Sequence, residues 1–341
     1  MKVKQTALCL VALLFVALLC VVPTACATES ALTSAKAACV VDVTSGRVLY
    51  CKNADERLPM ASTTKIATAL TVLNNVADID EVVTVDKQAC GIEGSSVYLT
   101  EGERLTIRDL LYGLMLRSGN DCAVQLALTV GGSVSRFVET MNELALSLGC
   151  TNTHFVTPHG LHDEQHYTTA HELATITCEA LRNQTFAEIV AAKTYRVATD
   201  NSTRVFVNKN KLLNNYAFAD GVKTGYTKKA GRCFVGSATK DGMQTVCVLL
   251  NCGPMFEDCQ TLLAKSFEEY KPITAVNKFQ VMGSLGEGRN RTFYVSPCKF
   301  AYPLRDGEQM RVEVTLNHAK QTATVYVDDK IVGEVQLLVK R

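Results

Sequence analysis

The sequence predicts an α+β fold, in which an antiparallel sheet joins the two chain ends of a large domain around a helical insert, followed by a small all-β domain. Three observations carry this. Strand-like alternation occurs near both ends of the first 272 residues, and helical periodicity fills the middle. Beyond Pro272 only short strands and turns remain. The 341 residues, 47% of them hydrophobic and 20% charged, suit about two packed domains.

The elements follow in order. Met1-Lys2-Val3-Lys4 precedes an apolar run from Ala7 to Val22, and Ala25-Cys26-Ala27 supplies small residues. That is a signal-peptide pattern over residues 1–27, with cleavage expected after Ala27. A lipid link at Cys26 is disfavoured by Pro23, and an uncleaved anchor is the other alternative. All three readings export the rest of the chain. Residues 37–51 predict a hairpin around Ser45-Gly46. Residues 62–75 predict a helix with Ile66, Ala69, Leu70 and Leu73 on one stripe, and 106–117 repeat the pattern through Ile107, Leu110, Leu111, Leu114 and Met115. Further helices are expected over Val134–Leu148, stopped by Gly149, over Thr169–Asn183 and over Asp258–Tyr270. Phe234–Thr239 and Thr245–Asn251 predict strands around Asp241-Gly242. In the last domain, 273–341, strands are expected at Phe293–Val295, Met310–Leu316, Ala323–Val327 and Val332–Val339, with Asp328-Asp329 in a turn.

Composition excludes several classes. The chain is too apolar for disorder, and a net charge of +1 lacks the basic excess of a nucleic-acid partner. Of 14 cysteines, Cys9, Cys20 and Cys26 fall in the signal segment and no CxxC pair occurs. Cys122, Cys178, Cys233 and Cys247 sit in apolar patterns where Ala or Val would serve. Cys252 and Cys259 are the pair to test for a disulfide.

Three short motifs carry chemistry. Ser62-Thr63-Thr64-Lys65 opens the second predicted element and puts a serine and a lysine on one helical face. A serine hydroxyl needs a base to become a nucleophile, and a lysine with a lowered pKa can be that base. Two further SxxK matches, Ser237–Lys240 and Ser296–Lys299, begin no apolar helix. Ser118-Gly119-Asn120 is the chain's single SxN and Lys223-Thr224-Gly225 its single KTG, and each alone reads as a turn. The three motifs stand in this order, 56 and 105 residues apart, which matches the signature of class A β-lactamases and penicillin-binding proteins.

The flanks narrow the match. Pro59 to Lys65, Ser118-Gly119-Asn120-Asp121 and Asp220 to Thr227 closely resemble the low-molecular-mass penicillin-binding proteins of the serine D-alanyl-D-alanine carboxypeptidase family. Phe155–Leu161, with Pro158-His159-Gly160, and Thr168–Ala174 are similar to it as well. The resemblance covers about residues 30–272 and implies a penicillin-binding/β-lactamase-like catalytic domain over 28–272. The trailing β-domain resembles the family's second domain.

The resemblance also implies roles. Ser62 attacks the penultimate D-Ala carbonyl of a peptidoglycan stem peptide, with Lys65 as general base. Ser118 relays protons to the leaving amine, and Asn120 holds Lys65 and the substrate amide. Lys223 tunes the local field, and Thr224 binds the terminal carboxylate beside Gly225. The backbone N–H groups of Ser62 and Tyr226 form the oxyanion hole. Water hydrolyses the acyl-enzyme, no metal or cofactor is needed, and β-lactams acylate Ser62.

Two departures stand out. Cys252–Gln260, where some relatives carry a carboxylate-docking arginine, has none and contains Asp258; Arg232 is the other candidate. The chain's last residues, Leu337 to Arg341, read as a strand, so no C-terminal membrane helix is expected. Three rival readings compete. A β-lactamase would need a deacylating glutamate in an ExxLN loop, and Glu179–Asn183 is the nearest match, with the wrong spacing in a predicted helix. A zinc site is suggested by His154, His159, His162, His166 and His171 with Asp163 and Glu164, although no HExxH occurs. A non-catalytic wall-binding protein would not need Ser62, Lys65, Ser118, Asn120 and Lys223 intact.

Overall fold

Both ends of the first 272 residues enter one sheet. The computed structural model describes residues 32–198, 203–317 and 319–340, so the expected signal segment lies outside the described residues. Strands β1 (Ala37–Asp42) and β2 (Val48–Lys52) form the expected hairpin. A 3₁₀ turn over Ala61–Thr64 leads into helix α1 (Lys65–Asn75). The short pair β3 (Val82–Thr84) and β4 (Arg104–Thr106) precedes helix α2 (Ile107–Tyr112), which runs on as a π turn over Gly113–Arg117. Helices α3 (Asn120–Gly131), α4 (Val134–Ser147), α5 (Ala170–Arg182) and α6 (Gln184–Ala191) complete the insert. After the hairpin of β5 (Thr194–Ala198) and β6 (Thr203–Val207) and the single turn α7 (Leu212–Asn215) come β7 (Ala219–Thr227), β8 (Gly231–Lys240), β9 (Met243–Leu250) and α8 (Met255–Glu269).

The sheet order is β2-β1-β9-β8-β7, antiparallel throughout. Its two faces are buried by period-2 alternation. Ala37, Cys39 and Val41 of β1, Cys233 and Val235 of β8, and Val246, Val248 and Leu250 of β9 face the helical insert. Ala38, Val40, Phe234, Cys247 and Leu249 face the other way, against Cys259, Leu262, Leu263 and Phe267 of α8.

Helix α3 is absent from the sequence expectations for a physical reason. Its first eight residues, Asn120 to Ala127, are all buried and include the polar Asn120, Asp121 and Gln125, so polarity along the sequence does not mark which face meets solvent. Helix α8 starts at Met255, one turn before the expected Asp258. All eleven cysteines among the described residues are free, including Cys252 and Cys259. The Cys252 thiol instead lies against Ser34 and the Asp258 carboxylate, while Cys259 packs beside Cys247 in the α8 core.

The chain divides into two compact units at Pro272/Ile273. The second unit is β-rich. Strand β10 (Tyr270–Val276) pairs with β13 (Phe300–Arg305), and β11 (Val281–Leu285) and β12 (Thr292–Val295) form a sheet with β17 (Leu338–Lys340). Strands β14 (Met310–Leu316), β15 (Gln321–Val327) and β16 (Lys330–Gln336) form a third sheet. The expected strand Val332–Val339 is thus two strands in two sheets, broken at the buried Leu337. Asp328 and Asp329 both take positive φ, at 45° and 63°, as a tight hairpin turn requires.

Candidate active site

The 3₁₀ turn that carries Ser62 is held from three sides. Ala61 enters it at φ 50°, a left-handed conformation that L side chains rarely adopt. The Thr63 hydroxyl donates to Met60 O (2.7 Å) and the Thr64 hydroxyl to Ala61 O (2.7 Å). Gly160, at φ +85°, lies so close that a Cβ there would sit 2.0 Å from Ala61 O. From the sheet side Gly225 of β7 makes the other close approach: a Cβ there would meet Ser62 N at 3.0 Å and Met60 O at 3.1 Å. Strand β7 therefore runs beside the backbone of Ser62 because position 225 has no side chain.

A buried histidine braces the same turn. His166 Nδ1 accepts from Val156 N (3.0 Å), so its proton sits on Nε2 and is donated to Thr64 Oγ1 at 2.8 Å. Burial pushes the His166 pKa down to about 4, which keeps the ring neutral at pH 7.

Lys65 is fully buried at the centre of the site. Its Nζ lies 3.1 Å from Ser62 Oγ, 2.7 Å from Asn120 Oδ1 and 2.7 Å from the carbonyl of His159. Burial, with Lys209 adding repulsion, lowers its pKa to about 7. Asn120 opens α3; its Nδ2 donates to Glu93 O (2.5 Å) and its own N–H to Ser95 O (2.7 Å). Ser118, buried and left-handed at φ 63°, closes the π turn just before it. The neighbouring Asp121 folds the 95–99 loop onto α3. It accepts from Ser96 Oγ (2.5 Å), Val97 N (3.0 Å), Leu99 N (3.1 Å) and Cys122 N (2.9 Å). Such bonds to a carboxylate contribute about 1.5–3 kcal/mol each.

Lys223, on β7, is also buried, and its Nζ donates to Thr224 O at 2.8 Å. Burial first, then Lys65 and Lys209, hold its pKa well below the usual lysine range. Asp220 pins this strand to its neighbours through Ser237, Thr239 (2.5 Å) and Gln244 (3.1 Å). Thr224 is partly exposed on β7 and Tyr226 largely exposed. The structure thus brings Ser62, Lys65 and Asn120 into hydrogen-bond contact, and the charge of Lys65 helps to lower the pKa of Lys223 on β7.

Two contributors have no sequence signal for the part they play. One is the His159 carbonyl, a Lys65 partner, although Pro158-His159-Gly160 is one of the stretches that resemble the family. The other is Lys209, whose Nζ donates to Ser95 Oγ (3.1 Å) and whose own pKa is lowered by burial and Arg117. The other two SxxK serines are structural: Ser237 donates to Asp220 and Ser296 to Cys298 O (2.6 Å). The clustered histidines turn to separate partners: His154 to Gln165 O, His162 to Glu164 and His171 to Asp55. Among the described residues no three His, Cys, Asp or Glu side chains converge.

A profile of the D-alanyl-D-alanine carboxypeptidase family, peptidase family S11, matches residues 24–253. The chain belongs to this family. It is 35% identical over 247 residues to the D-alanyl-D-alanine carboxypeptidase DacF of Bacillus subtilis, covering 70% of this chain and 63% of that one. Among solved structures, penicillin-binding protein 5 of Haemophilus influenzae superposes with a TM-score of 0.76 at 25% identity, over 91% of this chain and 97% of that one. The Streptomyces K15 DD-transpeptidase superposes with a TM-score of 0.65 at 33% identity, over 69% and 98%.

Within this S11 chain the two residues named at the missing arginine find places. Asp258 is committed to structure, accepting from Ser34 N (2.7 Å) and Thr33 Oγ1 (2.8 Å). Arg232, opposite Tyr226 on β8, donates to Gly253 O at 3.0 Å. Glu179 lies on helix α5, paired with Arg182 at 2.7 Å, and not in a loop that could hold a deacylating water.

Proposed function

We propose that this chain is a serine D-alanyl-D-alanine carboxypeptidase that removes the terminal D-Ala from peptidoglycan stem peptides through a Ser62 acyl-enzyme. The observation that carries this is the set of partners around Lys65. A neutral amine has two N–H groups and one lone pair. The carbonyls of Asn120 and His159 can only accept, so they take both hydrogens. The lone pair is then left for the Ser62 hydroxyl 3.1 Å away. With a pKa of about 7, Lys65 is free to take that proton at neutral pH.

The remaining roles are those that the family resemblance implies. Ser62 Oγ attacks the penultimate D-Ala carbonyl, whose oxygen is received by the N–H groups of Ser62 and Tyr226, brought together by Gly225. Ser118 passes the proton to the departing D-Ala amine. Asn120 orients Lys65 and the substrate amide, and Thr224 binds the terminal carboxylate.

Lys209 is the candidate to meet that carboxylate in place of the family arginine: of Lys65, Lys209 and Lys223 it is the one with solvent access, while Lys65 acts as a neutral amine and burial lowers the pKa of Lys223. The nearby Asp121 carboxylate is occupied by backbone N–H groups. A β-lactam presents the same carboxylate and carbonyl, and acylates Ser62. Residues 1–27 act as an export signal, the 28–272 catalytic domain works outside the cytoplasm, and 273–341 forms an accessory β-domain.

A second reading, transfer of the acyl group to an amine, is favoured by the likeness to the Streptomyces K15 DD-transpeptidase. Incubation with an N-acylated D-Ala-D-Ala peptide and an acceptor amine separates the two. Free D-Ala with hydrolysed peptide is expected; a cross-linked product in excess would favour transfer. In the same assay Lys209→Met is expected to raise KM on the order of tenfold, by loss of one charge-assisted contact. It should also move the alkaline-rising limb of acylation to higher pH, because Lys209 depresses the Lys65 pKa. An unchanged KM would remove Lys209 from carboxylate docking.

A further inference from the structure

The sheet β11-β12-β17 has one face on the core of its unit and one in solvent. Tyr294 packs inward, and Gly283 beside it leaves room for Leu316, since a Cβ there would sit 2.6 Å from Leu316 Cδ1. Directly opposed residues of an antiparallel sheet share a face. Val295 stands between Val281 and Leu338, and Phe293 between Ser284 and Lys340, so these point the other way. That outer side is partly open: Val295 at its centre is covered, at 8% exposed, while Val281 and Leu338 beside it are each 48% exposed, Phe293 is 40% and Phe279, just ahead of β11, is 69% exposed; Val339, opposite Tyr294 at the sheet edge, is 51% exposed. An apolar group of this size on a solvent face marks an interaction surface.

The charges around it are mostly positive. Lys278 Nζ lies 5.0 Å from the Phe279 ring centre, and Arg291 lies 5.3 Å from that of Phe293 while donating to Ser284 Oγ at 2.8 Å. Lys340 is opposite Phe293, and Arg289 is in the turn between β11 and β12. From Lys278 to Val295 the single carboxylate is Glu287, and 336–341 contains none. The acidic residues of the unit fall elsewhere, as in the Asp328-Asp329 turn.

Aromatic rings and aliphatic side chains ringed by lysine and arginine fit the boundary between acyl chains and anionic headgroups. We propose that this face docks the β-rich unit onto an anionic lipid surface. Phe279, Val281, Phe293 and Leu338 enter the headgroup–acyl boundary, and Lys278, Arg289, Arg291 and Lys340 meet lipid phosphates. A glycan partner would call for hydrogen-bonding polar side chains among the rings; the groups present here are aliphatic and cationic.

The chain has no tryptophan, so an inserted one reports its own position in the full-length protein whatever the N-terminal segment does. Phe279→Trp is compared with Ile331→Trp in the β15–β16 hairpin, beside the acidic turn. On phosphatidylglycerol vesicles Phe279→Trp emission is expected to move to shorter wavelength and to be quenched by brominated acyl chains. The effect should be weak on phosphatidylcholine and reduced by high salt or by Arg291→Glu with Lys340→Glu. Ile331→Trp should not respond. Absence of vesicle binding, unchanged Phe279→Trp emission on vesicles that carry the protein, or an equal response at Ile331→Trp would overturn the proposal. So would a shift produced without lipid, by self-association or by purified peptidoglycan.

Discussion

Ser62→Ala is expected to abolish release of D-Ala and covalent labelling by penicillin together, while the fold remains. Removal of a serine nucleophile from a preorganised site costs on the order of 10⁶ in turnover. The Ser62 side chain is partly exposed, and the turn is held by the Thr63 and Thr64 hydroxyls on Met60 O and Ala61 O, so it is expected to survive the change. Thermal unfolding of the variant should match that of the parent. A penicillin adduct that persists in Ser62→Ala would remove Ser62 as the nucleophile.

Lys65→Ala is expected to lower acylation by roughly 10²–10⁴-fold, the usual contribution of a positioned base. It also leaves Asn120 Oδ1 and the His159 carbonyl without their shared donor, so some loss of stability accompanies it. The pH dependence separates the two effects. In the parent, acylation should rise with pH through about 7 as Lys65 loses its proton. The variant should show no such limb. Stability has the same sign. The folded pKa of Lys65 lies below its unfolded value, so between about 7 and 10.5 the unfolded chain binds more protons and stability rises with pH. Stopped-flow acylation across pH checks the first, and thermal melts across the same range check the second. Parent-like acylation in Lys65→Ala would remove lysine as the base.

The readable parts of the molecule were those with a local pattern. The β1–β2 hairpin and the β8–β9 pair have alternating faces and turn residues, and α4 and α5 carry amphipathic stripes with Ser133 and Thr169 as N-caps. The contact between Ser62 and Lys65 is legible because they sit three apart at the start of one helical element. Where burial is complete, the pattern misleads: α3 buries Asn120, Asp121 and Gln125 together with its apolar residues, so polarity does not mark its exposed side. In the β-rich unit, β11 and β13 carry Gly283 and Pro303 inside short strands, which weakens their strand signal. Lys209 and the His159 carbonyl belong to the site only through tertiary approach. No residue type or spacing marks a backbone carbonyl as the partner of a distant lysine. The cysteines read correctly as apolar filler at Cys122, Cys178, Cys233 and Cys247, all buried, and Cys252 and Cys259, the pair to test for a disulfide, are free. There Asp258 had already engaged the Cys252 thiol.

The central claim is a Ser62 acyl-enzyme that deacylates slowly. Intact mass of the protein after exposure to penicillin, with the adduct located by peptide mapping, tests it most directly. One penicilloyl group on the peptide that contains Ser62, lasting minutes or longer, is the predicted result. No adduct, an adduct on another residue, or release at many turnovers per second would contradict it.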